Sequence, residues 1–284
     1  MEPTPDPPAR AAFRGGLSRR TALAALGGAG AAAFLAACGS SSGSDAASAT
    51  STTAKPSTTT TATGAGGDAT TTTLAGACAT LTKEQEQGPY YYPAAAVRSD
   101  ITDGKPGVPM KLQLTVMDVQ TCKPVTNATV DVWTADALGE YSDTSSGLFL
   151  RGLQSTDANG VATFTTIYPG WYPGRTNHVH VKVHIGGTAS KTYSGGHVSH
   201  TGNLFFPENV STTVAQISPY TDNTADRTTL TKDFVYNGQN GSGSIMTLRP
   251  VDPATPASGY TATMVLGIEP DATPAGIGIA GTVN

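Results

Sequence analysis

The most regular pattern in this sequence is a run in which every second residue is apolar, His178-Val179-His180-Val181-Lys182-Val183-His184-Ile185. Successive side chains of a β-strand point to opposite faces, so the run predicts a strand with one apolar and one polar face. The apolar face needs a second layer to pack against. We therefore expect the valines to face the interior of a β-sandwich.

Shorter runs of the same kind are spread over the chain and are separated by Gly, Pro and Asn residues typical of turns. The further predicted strands are 111–116, 128–133, 160–167, 202–206, 244–248 and 260–268. No long segment has the 3.6-residue period of an amphipathic helix, and one short helix is predicted near Leu81–Gln87. The predicted fold is all-β, a two-sheet β-sandwich core with short helices and long loops.

The N-terminal part of the chain has a different composition and precedes the predicted sandwich. Residues 1–38 are predicted to be a signal segment, with Arg19-Arg20 typical of twin-arginine export and Cys38 ending a Leu-Ala-Ala-Cys lipobox. Residues 39–77 are nearly all Ser, Thr, Ala and Gly and predict a disordered linker. Residues 78–284 then form the globular domain. A plain signal peptide or a short membrane anchor is the alternative for residues 1–38.

These features predict a compartment and a pairing of cysteines. We expect an exported protein, anchored through lipid on Cys38 to the outer face of the bacterial cytoplasmic membrane, or else secreted. The lipid would be its only contact with a membrane. Cys78 and Cys122 then remain, and an even pair outside the cytoplasm is usually a disulfide. Two unpaired thiols are the alternative.

The charge balance argues against one class of partner. The whole chain has a formal net charge of −4, and no basic face is evident after the signal segment. Nucleic acids are bound mainly through clustered Lys and Arg. We therefore expect no nucleic-acid partner.

The polar face of the strand at 178–185 is a candidate metal site. His178 and His180 are two residues apart and point the same way, so their imidazoles converge. Tyr172 lies just upstream in a Gly- and Pro-rich aromatic loop, and Tyr141 follows an earlier predicted strand. Phenolates are hard anionic ligands and favour Fe(III) over Zn(II) or Cu(I). A polar strand face exposed to solvent, with histidines by chance, is the alternative.

These residues belong to stretches that, in order and spacing, resemble the intradiol ring-cleavage dioxygenases of the catechol and protocatechuate type, close to their secreted, lipid-anchored bacterial branch. The resemblance runs from about Leu81 to Ile268. The stretches that carry it are Gly88-Pro89-Tyr90-Tyr91, Asp131-Val132-Trp133, Gly139-Glu140-Tyr141-Ser142, Phe149-Leu150-Arg151-Gly152, Thr166–Tyr172, Arg175–His180 and Leu204-Phe205-Phe206-Pro207.

The resemblance implies a role for each matching residue. Tyr141 and His178 would be equatorial ligands of one Fe(III), and Tyr172 and His180 would be axial ligands. Arg175 would lie beside the substrate and stabilise negative charge on its ring, with a surface salt bridge as the alternative role.

Three further residues match less specific positions. Tyr90 and Tyr91 match the family's pocket wall, and core packing is the alternative for both. Asn203 stands where the family usually has a catalytic Gln, and Gln87 stands where it often has Glu. His184, His197 and His200 match no ligand of the family and are expected to be polar-face or loop residues.

The resemblance also implies the reaction. A catechol-type aromatic diol would be cleaved with O2 between its two hydroxyl-bearing carbons, giving a cis,cis-muconate-type dicarboxylate. Family analogy favours a homodimer. The alternatives are a non-catalytic, transthyretin-like binding module on a lipid anchor, and a zinc or copper site built on the histidines.

Overall fold

The computed structural model describes residues 78–94 and 96–277. The predicted signal segment, linker and Cys38 lie outside the described residues, so these assignments and the domain boundaries stay predictions. No helix of the described part is long and apolar enough to cross a membrane.

Strands dominate the described residues, and the helices are short. The strands are β1 Pro109–Asp118, β2 Lys123–Pro124, β3 Thr129–Thr134, β4 Arg151–Ser155, β5 Val161–Ile167, β6 His178–Ala189, β7 Tyr193–Phe205, β8 Thr247–Pro250 and β9 Tyr260–Ile268. The α-helices are α1 Glu208–Val214 and α2 Phe234–Gly238, and 3-10 turns span Tyr220–Asp222, Leu230–Lys232, Gly241–Ser244 and Pro256–Ser258.

These strands form two sheets. In the five-stranded sheet, β1 pairs in parallel with β9 and antiparallel with β5 and β2, and β8 pairs with β9 at the edge. The four-stranded sheet is antiparallel throughout, in the order β4-β3-β6-β7. The predicted two-sheet sandwich is confirmed.

The core lies between the sheets, where the alternating patterns predict it. Val179, Val181 and Val183 of β6 are at most 1% exposed and share one hydrophobic cluster with Leu112 and Leu114 of β1. Full burial of each such side chain contributes about 1.5–3 kcal/mol. The same alternation turns the histidines of β6 to the opposite face of its sheet.

The predicted strand boundaries agree with the observed ones where apolar and polar residues alternate regularly, and they agree less well elsewhere. The strand predicted at 260–268 agrees with β9, whereas β7 begins at Tyr193 and not at residue 202. The strand predicted at 244–248 begins later, at Thr247, because Gly241–Ser244 forms a 3-10 turn. Strands β2 and β4 were not predicted, since neither has an alternating run long enough to detect.

The helix predicted near Leu81–Gln87 is wrong, because this segment is extended. Its backbone and side chains bond to strands far away in sequence: Thr82 N donates to the Gly267 carbonyl, and Gln85 Oε1 accepts from Asn203 N at 2.7 Å. Helix propensity is a weak preference, and tertiary hydrogen bonds of this kind override it.

Cys78 and Cys122 form a disulfide, which confirms the predicted pairing. Cys122 lies in the turn between β1 and β2, and Cys78 lies at the start of the described residues. The bond therefore ties the extended segment that begins at Cys78 to the edge of the five-stranded sheet.

We expect Cys122→Ser to lower the free energy of unfolding by roughly 3–4 kcal/mol, because the bond closes a loop of 44 residues in the unfolded chain. Urea unfolding of the variant and the oxidised parent measures this difference. Reducing the parent with dithiothreitol is the matched control and should give the same loss. Equal stability of all three samples would contradict the disulfide's assigned role.

Candidate active site

The candidate site lies on the face of the four-stranded sheet that points away from the core. His178 and His180 of β6 both point to this face, and they are only 2% and 0% exposed. The segment around Gly88 covers His180, and the loop that carries Tyr172 covers His178. The alternative of a polar strand face exposed to solvent is therefore wrong.

Four side chains meet at this point. His178 Nε2 lies 3.1 Å from His180 Nε2, 3.2 Å from Tyr141 Oη and 3.3 Å from Tyr172 Oη. The structure thus brings together the four residues that the sequence predicted as metal ligands. They come from β6, from the loop before it and from the segment between β3 and β4.

The protonation states suit metal binding. His178 Nδ1 donates to the Thr176 carbonyl at 2.6 Å, which leaves Nε2 with its lone pair. Burial, with the nearby Arg175 charge, lowers the pKa of His178 to about 3. Burial, then His178, lowers the pKa of His180. Both imidazoles are therefore neutral at neutral pH, as metal ligands must be.

The phenols are also held neutral until a cation is present. Burial raises the pKa of both Tyr141 and Tyr172. The lone pair on His178 Nε2 then faces three possible hydrogen-bond donors, namely the Tyr141 hydroxyl, the Tyr172 hydroxyl and His180 Nε2. It can accept a full hydrogen bond from only one of them. A cation among the four atoms would satisfy all of them together.

The spacing of the four atoms fits such a cation. Two ligand atoms about 2.1 Å from a common ion and about 100° apart lie roughly 3.2 Å from each other. Within residues 78–94 and 96–277, no group of three or more His, Cys, Asp or Glu side chains could hold a metal. A metal at this point would therefore depend on the two phenols, which favours a hard ion such as Fe(III).

Arg175 lies beside this cluster and is almost fully buried, at 3% exposed. Its Nε donates to Asp233 Oδ2 at 3.0 Å, and its Nη2 donates to Asn203 Oδ1 at 2.9 Å. Its Nη1 lies 3.7 Å from Glu86 Oε1. Arg175 is therefore not a surface residue, and Asn203, which stands where the family usually has Gln, is bonded to it.

Asp233 is a residue of the site that the sequence analysis did not identify. Its carboxylate accepts from Arg175 and Thr176 through Oδ2, and from Val235 and Tyr236 backbone N–H groups at the start of α2 through Oδ1. It thereby fixes both Arg175 and the residue whose carbonyl orients His178. No alternating strand pattern marks residues 230–245, so the sequence offered no signal for it.

Comparison with known proteins identifies the family of this chain. A family model described as "Dioxygenase" matches residues 86–250, which include all four clustered residues. The chain belongs to the intradiol ring-cleavage dioxygenases. No curated protein sequence matches it.

Two crystal structures show the extent of the similarity. The intradiol ring-cleavage dioxygenase from Tetranychus urticae is 32% identical with a TM-score of 0.62, over 69% of this chain and 97% of the other. A second dioxygenase is 31% identical with a TM-score of 0.59, over 68% of this chain and 96% of the other. Membership of an enzyme family favours catalysis over the non-catalytic binding module.

The dioxygenase has a cavity of about 880 Å³ whose lining includes Tyr90 and Tyr141. The two rings stack with centroids 4.5 Å apart, and Tyr90 is 44% exposed. Tyr90 therefore forms part of a pocket wall. Tyr91 is half-buried and packs against Trp133 with ring centroids 4.8 Å apart, and it does not line this cavity.

Arg151 connects the two segments that carry the stacked rings. Like Asp233, it had no role assigned in the sequence analysis. It is 2% exposed, and it donates to Ser142 Oγ at 2.8 Å, to the Ser142 carbonyl at 2.7 Å and to the Tyr90 carbonyl at 2.7 Å. These bonds join the segments that carry Tyr90 and Tyr141. The Phe149–Gly152 stretch was the only sequence signal for it.

The three other histidines lie outside the cluster, as predicted. His184 Nε2 faces Asp131 at 3.7 Å, and His200 Nδ1 lies 2.6 Å from Glu84 Oε1. His197 Nε2 lies 2.9 Å from the Pro270 carbonyl.

Gly88 leaves room for His180. A Cβ at Gly88 would lie 3.0 Å from His180 Cε1 and 3.4 Å from Nε2, inside ordinary van der Waals contact. Trp133 stacks on the same imidazole with ring planes 1° apart, so the ring is confined. The Gly in this stretch is therefore required by the position of His180.

We expect Gly88→Ala to weaken metal retention roughly 10–100-fold, as loss of a residue that orients a ligand does. Gly104→Ala is the matched control, because Gly104 has nearly the same backbone angle, φ +72° against +71°, and nothing within 4 Å of its Cβ position. Metal content after dialysis against a chelator measures the difference. Equal metal loss in both variants would show that backbone strain, and not the His180 contact, is responsible.

Proposed function

We propose that this enzyme is a non-haem Fe(III) intradiol dioxygenase that cleaves a catechol-type aromatic diol with O2, between its hydroxyl-bearing carbons, to a cis,cis-muconate-type dicarboxylate. The observation that carries the proposal is the cluster of Tyr141, Tyr172, His178 and His180 within a family of intradiol dioxygenases.

The four clustered residues, Tyr141, Tyr172, His178 and His180, would hold the iron. A ferric ion at this position would bind both oxygens of a deprotonated catechol and make its ring reactive towards O2. Zinc and copper are the less suitable metals, since phenolate oxygen is a hard ligand.

Tyr172 is the residue we assign as base for one catechol proton, which its Oη would take. It lies in a loop outside the strands of the two sheets, and an isolated bridge pairs it with Arg175. Tyr141 also lies outside a strand. Ser142, next to Tyr141, is bonded to Phe149 and Arg151, and Trp171, next to Tyr172, donates to the Ala225 carbonyl at 2.7 Å. The support for Tyr172 as the base is therefore the resemblance.

Arg175 would stabilise negative charge that develops on the substrate ring. Its charge is already felt at the cluster, where it lowers the pKa of Tyr172 against the effect of burial. One preorganised contact of this kind is worth roughly 3–4 kcal/mol in a water-excluded site. Asn203 would act beside it, and its amide also donates to the Glu86 carbonyl at 2.8 Å.

We also propose that the enzyme is exported and anchored through lipid on Cys38. The support is the order of the twin-arginine and lipobox patterns, together with a disulfide typical of oxidising compartments. Cys38→Ala should release the protein from the membrane fraction, and retention there would contradict the anchor. The homodimer stays a prediction from family analogy.

The reaction is tested by turnover of catechols with ¹⁸O2. Each product molecule should contain two ¹⁸O atoms and absorb as a cis,cis-muconate. Oxidation to a quinone, cleavage outside the diol or incorporation of a single labelled atom would contradict the proposal.

We expect Tyr172→Phe to lower the turnover rate by about 10²–10⁴-fold, the usual worth of a positioned base. Iron should remain, because three protein ligands are left. The visible absorption band that arises from charge transfer between phenolate and iron should weaken without disappearing, because Tyr141 still supplies one phenolate. Tyr193→Phe is the matched control, since the Tyr193 hydroxyl has no hydrogen-bond partner among the described residues. Normal anaerobic formation of the catechol complex by Tyr172→Phe, with normal turnover, would show that Tyr172 is not the base.

A further inference from the structure

We infer that the substrate pocket selects catechols whose ring substituent is neutral or cationic and discriminates against those that carry a carboxylate. This inference rests on the proposed function and concerns the substrate class. It follows from the charges that line the cavity and from the groups that pair with Arg175 beside the clustered residues.

The cavity adjoins the clustered residues through Tyr141. Tyr141 lines it, and the hydroxyl of the same ring lies 3.2 Å from His178 Nε2. Its volume of about 880 Å³ is within the usual range of ligand pockets, roughly 300–1,000 Å³. A catechol with a substituent therefore has room to enter.

The outer wall of the cavity has an excess of negative charge. Its ionisable residues are Asp103, Lys105, Glu140 and Asp143. Lys105 is neutralised by Asp136 at 2.8 Å, and Asp103 is neutralised by Arg98 at 2.8 Å. Glu140 and Asp143 are exposed and form no ion pair with any described residue. Two uncompensated carboxylates thus face an entering substrate.

Arg175, beside the clustered residues, has no free nitrogen to bind a carboxylate. Each nitrogen of the Arg175 guanidinium already faces a partner: Asp233, Asn203 or Glu86. Asp233 and Glu86 are 0% and 1% exposed, so two buried carboxylates offset one positive charge. A substrate carboxylate would have to displace one of these partners to form a bidentate pair with Arg175.

Arg151 is the other buried cation near the pocket, and two of its nitrogens are not available to a substrate. Its Nε and Nη2 donate to Ser142 and to the Tyr90 carbonyl, which lie within the protein. An anionic substituent therefore meets repulsion from Glu140 and Asp143 and no free nitrogen on Arg175. Clefts of one sign of charge alter the association of charged ligands by about 10–10³-fold, and salt reduces the effect.

Three catechols with similar side chains separate charge from size and ring electronics: 4-propylcatechol is neutral, 4-(2-aminoethyl)catechol is cationic and 3-(3,4-dihydroxyphenyl)propanoate is anionic. The readouts are kcat/KM in air and equilibrium binding by calorimetry without oxygen. We expect the anion to be at least tenfold poorer than the neutral compound in both, and the cation to equal or exceed the neutral compound. Raising the salt concentration should reduce the differences among the three compounds in both readouts.

Two variants locate the effect. The double change Glu140→Gln with Asp143→Asn removes the charge at the entrance, and Glu86→Gln leaves Arg175 with one carboxylate. We expect each variant to reduce several-fold the difference in kcat/KM and in binding between the anion and the neutral compound. Asp271→Asn is the matched control, because Asp271 is exposed but does not line the cavity, and it should leave the ratio unchanged.

The outcomes separate this inference from the proposed function. Binding of the anion as tight as that of the neutral compound overturns the inference. So does a ratio between anion and neutral compound that changes neither with salt nor in either of the two variants. Binding in the expected order without cleavage of any of the three overturns the proposed function and supports the charge selection. Absence of binding for all three overturns both.

Discussion

The site depends on the two-residue alternation of β6. Its valines enter the core between the sheets, and its histidines point to the opposite face, so one strand supplies both packing and ligands. A shift of the register by one residue would exchange the two sets. The apolar core therefore fixes which way the imidazoles point, and the pairing of His180 with Trp133 and Asn203 fixes where they lie.

Burying the polar face of this sheet has a free-energy cost that its hydrogen bonds offset. Unpaired buried polar groups are expensive. The structure pairs most of them: His178 with the Thr176 carbonyl, Arg175 with Asp233 and Asn203, and Asn203 with Glu86. The four clustered ligand atoms contact one another, and one lone pair on His178 Nε2 cannot satisfy them all, so a metal ion could bind there. Among the described residues, His180 Nδ1, Trp133 Nε1 and Glu86 Oε2 are also buried without a hydrogen-bond partner.

The sequence predicted the parts of this arrangement that repeat or that match a known pattern. Alternation revealed the strand at 178–185 and the direction of its histidines, and cysteine counting revealed the bond between Cys78 and Cys122. The family stretches pointed to Tyr141, Tyr172 and Arg175, which the structure brings together. Each of these signals is local or depends on fixed spacing.

The parts that could not be predicted depend on contacts between distant segments. Asp233 lies 58 residues from Arg175, and nothing near it in the sequence indicates that it holds that side chain. Arg151 acts through bonds that include the Tyr90 and Ser142 carbonyls, and Gly88 acts by leaving space for the His180 ring. Neither contact produces a recognisable pattern in the sequence. The segment at 81–87 has helix-compatible residues, yet it is extended because its bonds go to β7 and β9.

The central claim is that two phenols and two imidazoles hold one ferric ion, and elemental analysis with the visible spectrum of the untreated protein tests it most directly. The account predicts about one iron per chain and a red-brown phenolate-to-iron charge-transfer band, which the double change Tyr141→Phe with Tyr172→Phe abolishes. Zinc or copper in place of iron, or iron without the band, would contradict it.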